Sequence, residues 1–178
     1  MKNLTILLSL LLASISTPTL ASEVGKTYFE AGYARTAFKV SGIPNYSLGA
    51  LKGTYGVVVS EGISLEGSLA TGVGDDTQTI ANTSVKVSLD YMYGIYARPF
   101  WKIGDKAEIF GRLGYWKGKY KISAGNTNVT DDGKDFSYGL GAAFNVSKDT
   151  QIVVDYMSYY DKSDTEVAGF GIGLKWNF

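Results

Sequence analysis

Along most of the chain apolar and polar residues alternate one by one, the period of a strand with two different faces rather than of a helix. The final stretch shows it cleanly: Phe170, Ile172, Leu174, Trp176 and Phe178 are large and apolar, while Gly169, Gly171, Gly173, Lys175 and Asn177 between them are small or polar. Ile63, Leu65 and Leu69 alternate in the same way with Ser64, Glu66 and Ser68, and Val85 to Ile95 alternate with Lys86 to Tyr96. Read in this way the sequence predicts eight strands, over Thr27–Phe38, Ser47–Val59, Ile63–Thr71, Ser84–Ala97, Ala107–Ile122, Phe136–Val146, Thr150–Tyr160 and Val167–Phe178. Each reaches the roughly 9–11 residues that a tilted strand needs to cross hydrocarbon.

The connectors alternate in length. Ser60-Glu61-Gly62, the stretch Lys102–Asp105 and Ser147-Lys148-Asp149 are tight turns rich in Gly, Asp and Ser. Between them lie longer polar links over Lys39–Tyr46, Gly72–Thr83, Ser123–Asp135 and Asp161–Glu166. The third of these mixes Lys119, Lys121 and Lys134 with Asp131, Asp132 and Asp135 and shows no basic cluster for heparin or lipopolysaccharide phosphate. With long links first and last, both chain ends fall on the short-turn side.

Alternation alone also suits a soluble barrel, so the face that carries the charge decides. Following the parity from strand to strand puts Glu30, Lys52, Glu66, Lys86, Asp90, Arg98, Glu108, Arg112, Asp155 and Lys175 on the inner face, five acids and five bases. A soluble barrel has the reverse polarity, because its lumen is its apolar core. The prediction is an all-β fold: an eight-stranded antiparallel up-and-down transmembrane β-barrel with short periplasmic turns and longer extracellular loops. Buried charges persist when paired, and a balanced set fills a narrow lumen. Small inner residues such as Gly32, Gly56, Gly114, Gly139, Gly141 and Gly171 leave some room, which keeps a narrow pore open as the alternative.

Aromatic residues collect at strand ends. Phe29, Phe100, Trp101, Trp176 and Phe178 lie toward the turn side, and Tyr91, Tyr115, Phe136, Tyr138 and Tyr160 toward the loop side, as two interfacial girdles require.

Composition agrees: 22 Gly and 13 Tyr against 3 Pro suit a sheet and disfavour helix. The first residues, Met1-Lys2-Asn3 followed by an apolar run from Leu4 to Ile15 and small residues up to Ala21, have the order of a secretory signal. The expected organisation is a cleaved signal peptide over 1–21 and a single barrel domain over 22–178. A formal net charge of 0 gives no reason to expect nucleic acid as a partner. The chain has no His and no Cys, which removes Ser-His-Asp and Cys-His nucleophiles and the usual zinc ligands. Carboxylate pairs such as Glu66 with Asp90 remain as conceivable acid and base, but the nearby Lys and Arg favour ion pairing. Asp75-Asp76 and Asp131-Asp132 lack the spaced oxygen ligands of a calcium loop and read as solvated charge. No catalytic, cofactor-binding or metal residue is predicted.

Several stretches resemble the small outer-membrane β-barrel superfamily that includes OmpX, Ail and the OmpA transmembrane domain, the porin-family "outer membrane protein beta-barrel" proteins. They are Tyr93–Pro99, Ile109–Tyr115, Asp135–Ala142, Val154-Asp155-Tyr156 and Gly171–Phe178. Gly173, Trp176 and Phe178 resemble the assembly signal of these proteins, with Gly171 departing from the polar residue usual two places before that glycine. The resemblance implies recognition by the barrel-assembly machinery and periplasmic chaperones after export through the secretory pathway, and residence as a monomer among outer-membrane lipid and lipopolysaccharide. The expected role is structural or adhesin-like surface interaction with an unidentified extracellular ligand, without catalysis and with a charge-paired lumen. The alternative is a narrow pore or small-solute channel.

Overall fold

The computed structural model describes residues 24–40, 45–80, 83–124, 127–162 and 165–178. The predicted signal segment over 1–21 lies outside them. Among the described residues nine antiparallel strands form: β1 (Thr27–Val40), β2 (Tyr46–Ser60), β3 (Ile63–Gly72), β4 (Asp75–Ile80), β5 (Thr83–Ile103), β6 (Ala107–Ala124), β7 (Thr127–Asn145), β8 (Thr150–Lys162) and β9 (Thr165–Asn177). Eight of them make a closed ring. Each pairs with its sequence neighbour, β3 pairs with β5, and β9 returns to β1 with Tyr28 opposite Asn177 and Glu30 opposite Lys175. Closure leaves no unpaired strand edge in the ring, which is what a spanning sheet needs.

The tight turns are where the sequence places them. Gly62 and Gly104 take φ of 69° and 59°, left-handed values that glycine adopts without a Cβ clash. Two of the long polar links, however, are strand rather than loop. Gly72–Thr83 contains β4, which folds back on β5 from Asp75 opposite Ser88 to Ile80 opposite Thr83. Ser123–Asp135 continues the β6–β7 ladder as far as Ala124 opposite Thr127. Polar residues at these positions do not forbid pairing, because a ladder of two strands satisfies its own backbone. The result is a four-stranded crown, β4-β5-β6-β7, that rises above the ring on one side.

Over the lower part of the barrel the outer face is apolar, with Ile95 72 %, Leu140 74 % and Phe170 70 % exposed. In the crown the polarity reverses. On β6 Leu113 and Tyr115 point outward, but above them Trp116, Tyr120 and Ile122 turn inward while Lys117, Lys119 and Lys121 take the outer positions. On β5 the reversal is made by a β-bulge at Asp90, the extra residue between the Leu89–Tyr120 and Tyr91–Lys119 pairs. One inserted residue flips every side chain beyond it. Val87 and Leu89, predicted to face outward, are therefore buried, as are Met92 and Tyr96 below the bulge.

Candidate functional site

The inward side chains stack into two layers, and single strands run through both. On β2 the inner positions go from Lys52 to Ala50, Leu48 and Tyr46, on β6 from Arg112 to Gly114, Trp116 and Tyr120, and on β8 from Asp155 to Met157 and Tyr159. The lower layer is ionic and the upper one is apolar and aromatic.

Eight of the ten predicted inner charges meet in the lower layer: Glu30, Lys52, Glu66, Arg98, Glu108, Arg112, Asp155 and Lys175, all buried, four acids and four bases. Arg112 is the hub. It donates from Nε to Glu66 at 2.6 Å and from one terminal nitrogen to Glu30 at 2.6 Å, and its other terminal nitrogen bonds Asp155. Lys52 bridges Asp155 at 2.7 Å and Glu30 at 3.3 Å. Arg98 binds Glu108 at 2.5 Å and lies 3.9 Å over the Phe110 ring, and Lys175 reaches Glu108 at 3.3 Å. Charges this deep are held by partners on other strands, which places the ionic layer among the contacts that tie the ring together.

The other two predicted members fall elsewhere. Lys86 is half exposed and pairs with Asp75 of β4 at 2.7 Å, and Asp90 is exposed at the bulge. The bulge takes Lys86 to the outer face, and the β3–β5 register sets Glu66 opposite Tyr96, six residues along the strand from Asp90, so that carboxylate pair does not form. Asp76, read as solvated, accepts the Ser47 N–H at 2.7 Å. Among the described residues no group of three or more His, Cys, Asp or Glu is arranged to hold a metal ion.

The upper layer gathers Tyr46, Leu48, Val87, Leu89, Met92, Tyr96, Trp116, Tyr120, Met157, Tyr159 and Val167. Trp116 donates its indole N–H to the Tyr159 carbonyl and packs edge-on against Tyr120 and Tyr159 at 6.3 and 5.9 Å. Alternation on β6 held the signal for this layer, since Trp116 and Tyr120 share parity with Arg112.

Phe100 and Tyr160 leave the girdles to which they were assigned. Phe100 is buried in a small cluster with Val58, Phe110, Ala143 and Val153, and Tyr160 packs on the upper layer beside the Tyr159 bulge. Trp101, Tyr91, Tyr115, Phe136 and Tyr138 do lie on the outer face. Of the residues resembling an assembly signal, Trp176 stacks on Phe29 at 6.2 Å, Gly173 pairs across to Gly32, and Phe178 is exposed.

The inner glycines provide no free bore. A Cβ on Gly56 would strike the Tyr28 ring, on Gly114 the Tyr96 ring, on Gly118 the Trp116 ring, on Gly141 the Phe110 ring, and on Gly171 the Asp155 carboxylate. Each glycine is the bed for a large side chain of a neighbouring position. Among the described residues a cavity stands at each mouth of the barrel. The lower has about 280 Å³ and is lined by Lys26, Arg98, Lys102, Glu108, Lys148 and Lys175 among others. The upper has about 260 Å³ between the crown and the ends of β1, β8 and β9. Beside Arg112 and Tyr96, between the two, a hollow of about 10 Å³ has room for no more than one water.

Solved structures share this architecture. Ail of Yersinia pestis, in complex with the heparin analogue sucrose octasulfate, matches over 87 % of this chain and 99 % of its own with 22 % identity and a TM-score of 0.61. Neisserial surface protein A matches over 85 % and 97 % with 11 % identity and a TM-score of 0.68. OprG of Pseudomonas aeruginosa matches over 88 % and 97 % with 11 % identity and a TM-score of 0.59. No curated protein matches the chain. A family model described as the outer membrane protein beta-barrel domain matches residues 5–178, so the chain belongs to that family and its place is the cell outer membrane.

Proposed function

We propose that this protein is a closed outer-membrane barrel that acts through its extracellular surface, as an adhesin-like or structural component without catalysis, rather than as a pore. The observation that carries the reading is the filled lumen: a neutral, mutually paired ionic layer below and an aromatic layer above, with Gly56, Gly114, Gly118 and Gly141 covered by neighbouring rings. A conducting path through these layers would have to break several buried ion pairs, at a cost of several kcal/mol for each charge left alone.

The crown supplies the surface. Alternation sorts the mixed charges of the β6–β7 hairpin onto two sides, so that Lys117, Lys119, Lys121 and Lys134 take outer positions directly above Tyr115, Phe136 and Tyr138, with Asp132 alone among them as an acid. Lysines just above an aromatic girdle sit level with lipid headgroups, which supports contact with the phosphates of lipopolysaccharide. Ail binds a sulfated heparin analogue, and an anionic glycan is the corresponding extracellular partner for this crown.

Single-channel recording of the purified protein in planar bilayers tests the closed lumen. The expected trace is flat, and steady, reproducible openings of one size would overturn it.

A further inference from the structure

Among the described residues the upper cavity opens to the exterior, apart from the ionic layer and touching the lysine face only at its rim. Its floor is Trp116 and Val167, both buried. The indole is fixed from below by its N–H bond to Tyr159 and lies across the directly paired Gly118 and Gly133, where a Cβ on Gly133 would come 3.3 Å from the ring. Its walls are Phe38, Tyr120, Tyr160 and Ile122, with Phe38 and Tyr120 tilted together at 6.0 Å. At the rim stand Asp131 and Asp132 with Lys134. The strand alternation that sends Lys134 outward turns Asp131 toward the cavity.

From this geometry we propose that the crown cavity binds a small amphipathic organic cation, such as a quaternary ammonium carrying an apolar group, taken from outside the cell. Aromatic faces carry negative potential and attract cations that shed water easily, so rings on several sides suit an ammonium wrapped in methyl groups better than a metal ion. Asp132 is paired with Lys117 at 3.6 Å on the outer face, so Asp131 is the rim carboxylate that adds the same preference, and anionic amphiphiles meet both the ring faces and Asp131 as repulsion. Val87, Ile122 and Val167 take the apolar part of the ligand. The proposal rests on the outward-acting reading above only in assigning the ligand to the exterior, and the site itself does not require a closed lumen.

The test uses the full barrel in lipid vesicles with Trp101→Phe and Trp176→Phe, which leaves Trp116 as the single tryptophan reporter. Benzyltrimethylammonium is titrated against neopentylbenzene, which has the same shape and no charge. The expected result is a saturable change in Trp116 emission with the cation, at least 10-fold tighter than with the neutral analogue. Tyr120→Leu should weaken cation binding about 10-fold, and Asp131→Asn a few-fold, while gel mobility of the unheated barrel stays unchanged. Equal affinity for the two ligands would show an apolar pocket and overturn the cation assignment, as would the absence of saturation in the folded parent. Flux of the cation into the same vesicles is measured alongside. Binding with flux would retain the site and sink the closed-lumen reading, whereas no binding with a flat conductance trace would sink the site alone.

Discussion

The barrel below Asp90 and the crown above it are built from the same strands with opposite polarity. Below, apolar residues such as Ile95, Leu113, Leu140 and Phe170 face out and a salt-bridged layer faces in. Above, Lys117, Lys119 and Lys121 face out while Val87, Leu89, Trp116 and Tyr120 face in. The difference follows from what lies outside each zone. Lipid rewards apolar side chains on the outer face and leaves the ring to satisfy polar groups within, whereas water around the crown reverses both preferences. The chain makes the change in two ways, by a shift in the sequence pattern on β6 and by a one-residue bulge on β5. Cohesion differs accordingly: the lower layer depends on which charges are paired, and the upper on how much volume is filled.

The largest test of that contrast is Arg112→Met. It leaves Glu30 and Asp155 sharing Lys52, and Glu66 with Arg98 at 3.4 Å as its remaining base, so that four acids face three bases, and should cost about 3–5 kcal/mol in urea unfolding from lipid vesicles. A loss below about 1 kcal/mol would mean that the ionic layer is not held by its hub.

Next comes Ile95→Lys, on the outer face of β5 where exposure is 72 %. A lysine near the bilayer midplane costs roughly 2–4 kcal/mol, so the same unfolding assay should show a clear drop. A neutral outcome would place that face in water and break the comparison at its base.

Val87→Ala together with Leu89→Ala removes the apolar side chains that the bulge at Asp90 turns into the crown. Their inward packing contributes at most about 1.5–3 kcal/mol each, and the loss is confined to the crown. Trypsin should then cut readily at Lys119, Lys121 or Lys134 while the unheated protein still runs as a folded barrel on a gel. An uncut crown would show that this inward packing is not needed for its order.

The smallest effect is expected for Lys119→Ile. On a lipid-facing position this change would be favourable, but on the water-facing crown it should alter stability by less than about 0.5 kcal/mol and raise aggregation in detergent. A gain above 1 kcal/mol would extend the lipid zone upward to Lys119.

Much of this was legible in the chain. Strict alternation with an apolar outer face defined the strands, Gly62 and Gly104 marked the turns, and eight inner charges could be named because period 2 carries unbroken through most strands. The same rule misplaced Lys86, Asp90, Val87 and Leu89, since the residues on both sides of Asp90 continue the alternating pattern and give no sign that one of them stands out of the ladder. Phe100 and Tyr160 were misassigned for another reason: an aromatic near a strand end reads as girdle, and only the facing strands show that Phe100 fills the space beside Phe110.

The sequence by itself determined that this protein is a ring of strands with lipid outside and charge within, because side-chain parity is a local property that needs no partner. The tertiary structure decided which acid meets which base, which ring lies over which glycine, and where the polarity inverts. Those depend on register across strands far apart in the chain, such as Arg112 with Glu30 and Asp155, and on a bulge that exists only as a mismatch between two paired strands.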